Sequence, residues 1–238
     1  MKKIVTMTKR EFFSYFTSPI AYVYLMTYLV LANWFFFRGF FLVGQTDVRS
    51  FFSIQPWIFL FFIPAVSMGK WAEERKQGTL EILFTLPVRD IEVVLGKFLG
   101  AFALLVTALF FTFPMVMSVA FLGNLDWGPV IGGYIGLLFM AGAYLAIGLT
   151  ISSMTENQII AFILAVVVSF LFFMLGSPLL SGARGSFVAP MFQYFGIGMH
   201  FDSIARGVID SRDILYYLSM IAFFLFLNLN VIQTKARK

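Results

Sequence analysis

The stretch Glu73 to Asp90, EERKQGTLEILFTLPVRD, is the densest run of charge in an otherwise apolar chain. Apolar segments near 51–70 and 91–122 flank it, each long enough to cover the roughly 20 residues that a bilayer core demands. The charged run therefore reads as a loop that leaves the membrane between two spans. Gln77-Gly78 stops the incoming helix, because glycine is a poor helix residue and a good terminator. Thr79 can cap a new helix, and Pro87 limits it at the other end. What remains, Leu80 to Leu86, is a helix too short to be stable alone in water. Leu80, Leu83 and Phe84 form a compact apolar face, and Glu81 is free to point elsewhere. That face can rest on the membrane or fit a groove on a cytoplasmic partner, and both satisfy the stability requirement. Beyond the loop, Asp90 can cap the next span, and Glu92 suits its positive end.

The rest of the chain agrees with this frame. Of its 238 residues 60% are hydrophobic, 19% aromatic and only 12% charged, where soluble domains carry about 25% charge. The fold class is all-α integral membrane, since a β-barrel would show short alternating strands rather than solid apolar runs. There is no cysteine, which excludes disulfides and thiol catalysis. Residues 2–17 read as an amphipathic helix lying on the membrane surface, not as a cleavable signal. Ile4, Val5, Phe12, Tyr15 and Phe16 mark one side of it, and Lys2, Lys9, Arg10 and Ser14 mostly the other.

Six spans are expected, near 20–41, 51–70, 91–122, 129–152, 158–176 and 213–233. The third is too long for a bilayer, so its first turns, around Glu92 and Lys97, should project into the cytoplasm. Pro64 and Pro114 should kink their helices. With six spans, one side of the membrane holds Lys2, Lys3, Lys9, Arg10, Lys70, Arg75, Lys76, Arg89, Lys97, Lys235, Arg237 and Lys238. The other holds only Arg38, Arg49, Arg184, Arg206 and Arg212. Lysine and arginine favour the cytoplasmic side, which places both termini there and assigns the net charge of +5 to topology rather than to nucleic acid. Small residues four apart, Gly96 and Gly100, then Gly128, Gly132 and Gly136, then Ala161, Ala165 and Ser169, mark faces where helices can approach closely, within the chain or across an oligomer seam. The segment 176–212 has too many Gly and Pro for one span and is too apolar for a free loop. It reads as an outer re-entrant pair of short helices.

Glu73 to Lys97, EERKQGTLEILFTLPVRDIEVVLGK, resembles the signature of ABC type-2 exporter permeases: a charged cluster, Gly-Thr-Leu-Glu, an apolar turn, proline, then Gly-Lys opening the next span. The resemblance extends to KREFFSYFTSPIAYVYL (Lys9 to Leu25), LDWGPVIGGYIGLLFMAGAYLAIGLTISSMTENQ (Leu125 to Gln158) and HFDSIARGVIDSRDILYYLS (His200 to Ser219). These are similar to the small six-span subgroup that includes permeases associated with gliding motility and with nitrous oxide reductase maturation. The resemblance implies a single transmembrane permease domain over 1–238, with the elbow at 2–17, a coupling helix at 79–86 and an outer re-entrant segment at 176–212. It implies an ATPase-coupling interface of Glu73, Glu74, Arg75, Gly78, Thr79, Leu80, Glu81, Leu83, Phe84 and Pro87. The inner turn Thr155, Glu156 and Asn157 would be a second, smaller contact. Two copies of an ABC ATPase subunit and a second permease copy or paralogue are the implied partners, in a bacterial inner membrane. Membrane lipid surrounds them, and an extracytoplasmic accessory subunit is an open further partner.

Other functions fit the residues less well. A phosphate-binding loop GxxxxGK[ST] is absent, because Phe98 follows Gly96-Lys97 and Ile91 stands where the first glycine belongs. No cofactor is expected on this chain, and ATP with Mg belongs to the partner ATPase. Glu73-Glu74 invites comparison with glutamic proteases carrying EExxxR, but Gly78 occupies the arginine position. The single histidine, His200, has no GxSG-type serine motif to serve, and no HExxH pair offers a metal site. A secondary transporter or channel is the main alternative. Ion-coupled carriers place ionisable residues deep in their spans, and here the middle of every expected span lacks Asp, Glu, Lys and Arg.

Overall fold

A computed structural model describes residues 2–43, 47–80, 88–175, 194–208 and 210–236. The described residues form α-helices joined by turns and short irregular links, with no strand among them. In chain order the helices are α1 (Lys2–Phe16), α2 (Pro19–Val43), α3 (Arg49–Ser67), α4 (Gly69–Lys76), α5 (Asp90–Phe110) and α6 (Phe113–Leu122). They continue as α7 (Trp127–Met154), α8 (Gln158–Met174), α9 (Ile197–Ala205) and α10 (Ser211–Ala236). Among the described residues five helical stretches are long and apolar enough to cross a membrane. They are Pro19–Phe40, Arg49–Lys76, Asp90–Leu122, Trp127–Met154 and Ser211–Thr234. The expected fifth span is a shorter apolar helix, α8, of 17 residues.

The centre of the bundle is α7. From Met140 to Ser153 every residue is buried, and α3, α4, α5, α8, α9 and α10 all pack on it. Its sequence explains this place. A helix apolar on all sides is a core helix, and a surface of Gly and Ala lets neighbouring backbones come close where lipid supplies no hydrophobic drive. A Cβ on Gly133 would lie 2.6 Å from the Phe52 ring of α3, and one on Gly142 2.9 Å from Ile221 of α10.

Pro114 lies at a helix break as expected, whereas Pro64 lies inside α3. The second apolar stretch turns at Met68, four residues after Pro64, where Met68 N–H donates to the Pro64 carbonyl at 2.8 Å. The third breaks at Phe111-Thr112, and Pro114 lies in the first turn of α6. All three small-residue ridges are used within the chain. Gly96 and Gly100 receive α1: a Cβ on Gly96 would stand 2.6 Å from Met7 Cβ, and one on Gly100 2.5 Å from Glu11 Cβ. Gly132 and Gly136 receive Ile204 and Phe201 of α9, and Ala161, Ala165 and Ser169 are fully buried.

Three local expectations need correction. The buried or half-buried side of α1 is Ile4, Met7, Thr8, Glu11, Phe12, Tyr15 and Phe16, so of the expected apolar side only Val5 is exposed. The helix α1 therefore docks this face on α5 and sets a carboxylate inside it. Lys97 does not project into water: its side chain is 2% exposed, enclosed by α1 and α4. Third, Asp90 is not the cap of the third span. Arg89, in extended conformation, holds that position, and its N–H donates to Glu92 Oε2 at 3.0 Å. Asp90 Oδ2 instead accepts from Gln233 Nε2 at 3.1 Å, tying the start of α5 to α10. Within the expected outer segment 176–212, α9 is a short helix. It buries Ile197, Phe201 and Ile204, while residues 176–193 lie outside the described residues.

Candidate functional site

The charged interruption is anchored by α4, which continues the second apolar stretch past the Met68 turn. The turn is bridged from α7. Ser152 Oγ donates to the Met68 carbonyl at 2.7 Å and accepts from Trp71 N–H at 3.2 Å and Ala72 N–H at 3.3 Å. One buried hydroxyl thus serves backbone groups on both sides of the break, which would otherwise be left unpaired in a helix end. Three residues further along, Arg75 donates to the Ser153 carbonyl at 2.9 Å. Both contacts fix α4 to the C-terminal end of α7.

On its other side α4 carries half of a charge cluster. Lys70 Nζ lies 2.9 Å from Glu11 Oε2 and 3.7 Å from the centre of the Tyr15 ring. Lys97 Nζ is 3.3 Å from Glu11 Oε1, also pairs with Glu74 Oε1, and sits 4.9 Å from the centre of the Trp71 ring. Two carboxylates and two ammonium groups from α1, α4 and α5 therefore neutralise one another. Burial acts to raise the Glu11 pKa, but the Lys97 and Lys70 charges and their hydrogen bonds outweigh it, so the carboxyl is held below its ordinary 4.5.

The helix α4 ends as its sequence demands. Gln77 N–H returns to the Glu73 carbonyl at 2.9 Å and Gly78 N–H to that of Arg75 at 3.0 Å. Gly78 adopts φ 67°, the left-handed region that favours glycine. Thr79 Oγ1 donates to the Glu74 carbonyl at 3.1 Å, so it closes the end of α4 in addition to preceding the next segment. Leu80 is half-buried against the core of this chain. Of the expected coupling interface, Glu73, Glu74, Arg75, Gly78, Thr79 and Leu80 are described. Glu81, Leu83, Phe84 and Pro87 lie outside the described residues.

The second expected inner contact is at the same end of the molecule. Asn157 caps α8, its Oδ1 accepting from Ile159 N–H at 2.9 Å and Ile160 N–H at 3.4 Å. Thr155 Oγ1 donates to the Asn157 carbonyl at 3.1 Å, and Glu156 is exposed. The Arg75–Ser153 bond brings this turn beside α4. The lone histidine is far from this end in role as well as in sequence. His200 joins Asp213 through Nδ1 at 2.7 Å and the Tyr194 carbonyl through Nε2 at 3.0 Å, and it stacks on Tyr216 at 3.9 Å. It clasps α9 to α10, the packed and hydrogen-bonded role. Among the described residues no cluster of His, Cys, Asp and Glu could hold a metal ion.

Glu11, Lys70, Lys97 and Ser152 were not singled out as site residues by sequence reasoning. The ion pairs join positions 59, 86 and 23 residues apart, a separation that no local pattern reports. The one available signal was a carboxylate, Glu11, on the apolar side of an amphipathic helix.

The class these features define is a polytopic helical membrane protein whose charge-rich end is braced by the N-terminal helix α1. A family model described as ABC-2 family transporter protein matches residues 16–237, and the chain belongs to that family. It is a permease component of an ABC transporter, a transport component and not itself a catalyst. Among curated proteins none matches the chain significantly. Membership implies association with an ABC ATPase subunit.

Proposed function

We propose that this permease belongs to the small six-span subgroup and works as an exporter in a bacterial inner membrane, with both termini cytoplasmic. Two permease chains, identical or paralogous, form the pathway, and two ATPase subunits dock beneath them. ATP and Mg bind on those subunits. The short segment after Gly78 is the docking element, with Leu83 and Phe84 toward the ATPase and Leu80 anchoring it to the bundle, and the turn Thr155, Glu156, Asn157 is the smaller contact. The α8 helix counts as the fifth span, α1 as the elbow, and 176–212 as the outer re-entrant segment.

One observation carries the mechanical part of this reading. The helix α4, immediately before the docking segment, is bonded to three other elements at once: α1 through Glu11, α5 through Lys97, and α7 through Ser152 and Ser153. A push on the segment after Gly78 is thereby delivered to the elbow, the third span and the central helix together. Packed, hydrogen-bonded elements of this kind transmit displacement because they are not continuously deformable.

The test is the double variant Leu83→Asp/Phe84→Asp, assayed for assembly, ATP hydrolysis and transport. The reading predicts a correctly inserted permease in which ATP hydrolysis no longer drives transport. Transport at the wild-type rate would sink it.

A further inference from the structure

Two adjoining cavities beside the elbow are unexplained by coupling. The first, about 400 Å³, lies between α1, the start of α2 and α4, within the range of roughly 300–1,000 Å³ typical of small-ligand sites. The second, about 300 Å³, runs along α2 and is lined by Pro19, Ile20, Val23, Tyr24, Thr27 and Phe62. Ile20 and Tyr24 line both, so a charged chamber opens into an apolar groove on the outer surface of the bundle. Val23 and Ile20 are more than half exposed there, facing what would be lipid.

The chamber's charges are selective. Its walls include three cations, Arg10, Lys70 and Lys97, and three carboxylates, Glu11, Glu73 and Glu74. Four of these six are spent on one another in the cluster described above. Arg10 and Glu73 enter no ion pair among the described residues. The chamber thus offers one free guanidinium, Arg10, suited to a phosphate diester, and one unpaired carboxylate, Glu73, suited to an ammonium, with an apolar channel leading away.

We infer that this composite cavity is a binding site for a glycerophospholipid whose headgroup carries a phosphate and a primary ammonium, as in phosphatidylethanolamine. The phosphate meets Arg10, the ammonium meets Glu73, and one acyl chain lies in the groove over Tyr24 and Phe62. Basic pockets at the ends of membrane helices bind lipid headgroups; here the added carboxylates select against purely anionic lipids. A bound lipid would wedge between the elbow and the first two spans without any part in the ion pairs that hold α4.

The experiment is native mass spectrometry of the full-length permease in detergent. Phosphatidylethanolamine, phosphatidylglycerol and phosphatidylcholine with the same acyl chains are added separately, and soluble phosphoethanolamine is used as competitor. The inference predicts one phosphatidylethanolamine retained about tenfold more tightly than the other two lipids. It also predicts about a tenfold loss in Arg10→Gln and in Glu73→Gln, and a comparable loss in Val23→Trp, which fills the groove from an exposed position. Equal retention of the three lipids, or unchanged retention in all three variants, overturns it. Preference for phosphatidylglycerol overturns it in favour of an anionic-lipid site. Displacement by phosphoethanolamine at concentrations matching the lipid overturns the membrane source in favour of a soluble zwitterion.

Discussion

Replacing Lys97 by methionine probes the inner cluster most severely. The methionine keeps most of the volume and removes the charge, so packing changes little. Glu11 would retain Lys70 at 2.9 Å, but Glu74 would lose its single ion pair among the described residues. Removing one partner of a buried pair costs about 3–5 kcal/mol because the other charge is stranded. The Glu74 side chain is 30% exposed and can recover some hydration, which puts the expected loss near the lower end, about 3 kcal/mol. At tenfold per 1.4 kcal/mol this is a change of roughly two orders of magnitude in the opening equilibrium of the elbow. Hydrogen exchange of the α1 backbone amides reads it directly, with α7 as the internal reference. Lys97→Met should accelerate exchange in α1 by roughly a hundredfold and leave α7 protected. Adding Glu74→Gln should restore much of the protection, because the stranded charge is gone. Unchanged exchange in the single variant, or no rescue in the double, refutes the reasoning. The pH dependence has a definite sign. Glu11 has a folded-state pKa below its ordinary 4.5, so its contribution is complete above that value and is lost as pH falls through the lowered one. Elbow protection should be flat at neutral pH and decline only in acid below 4.5.

Other outcomes are expected of the same inner architecture. Ser152→Ala removes the hydroxyl serving Met68, Trp71 and Ala72 and should cost about 1–3 kcal/mol, seen as a lowered melting temperature in detergent. Gly100→Leu drives a side chain into Glu11 of the docked elbow; α1 exchange should rise while the variant still inserts, and normal protection would contradict the close approach. His200→Phe keeps the stack on Tyr216 but loses the bonds to Asp213 and Tyr194. It should loosen α9 by about 1–3 kcal/mol, detected as local exchange in 197–205 without effect on α1.

The sequence announced those features that depend on local chemistry. Gly78 terminates α4 because the chain needs φ 67° there, and a Gln-Gly pair in a polar run signals that stop. Pro114 marks a helix break for the same local reason. The small-residue ridges told where helices meet, though not that Gly96 and Gly100 would receive the elbow. Features made by tertiary pairing were illegible. Lys97 read as a charge bound for water, because hydropathy cannot show that Glu11 and Glu74 stand ready from other helices. Asp90 and Arg89 were confused by one position, since either neighbour of Glu92 can begin the helix and only the Arg89 bond to Glu92 decides. Ser152 looked like one more small residue at the end of a span until its three backbone partners were seen.

The central claim is that the segment after Gly78 carries force from an ATPase into the bundle through α4. The chain's lack of cysteine gives a clean background for testing this by single-cysteine cross-linking. With the permease purified alongside its ABC ATPase subunit, Leu83→Cys is predicted to cross-link to that subunit, and ATP is predicted to change the yield. An ATPase that fails to co-purify, together with a Leu83→Cys variant that never cross-links to it with or without ATP, would contradict the account.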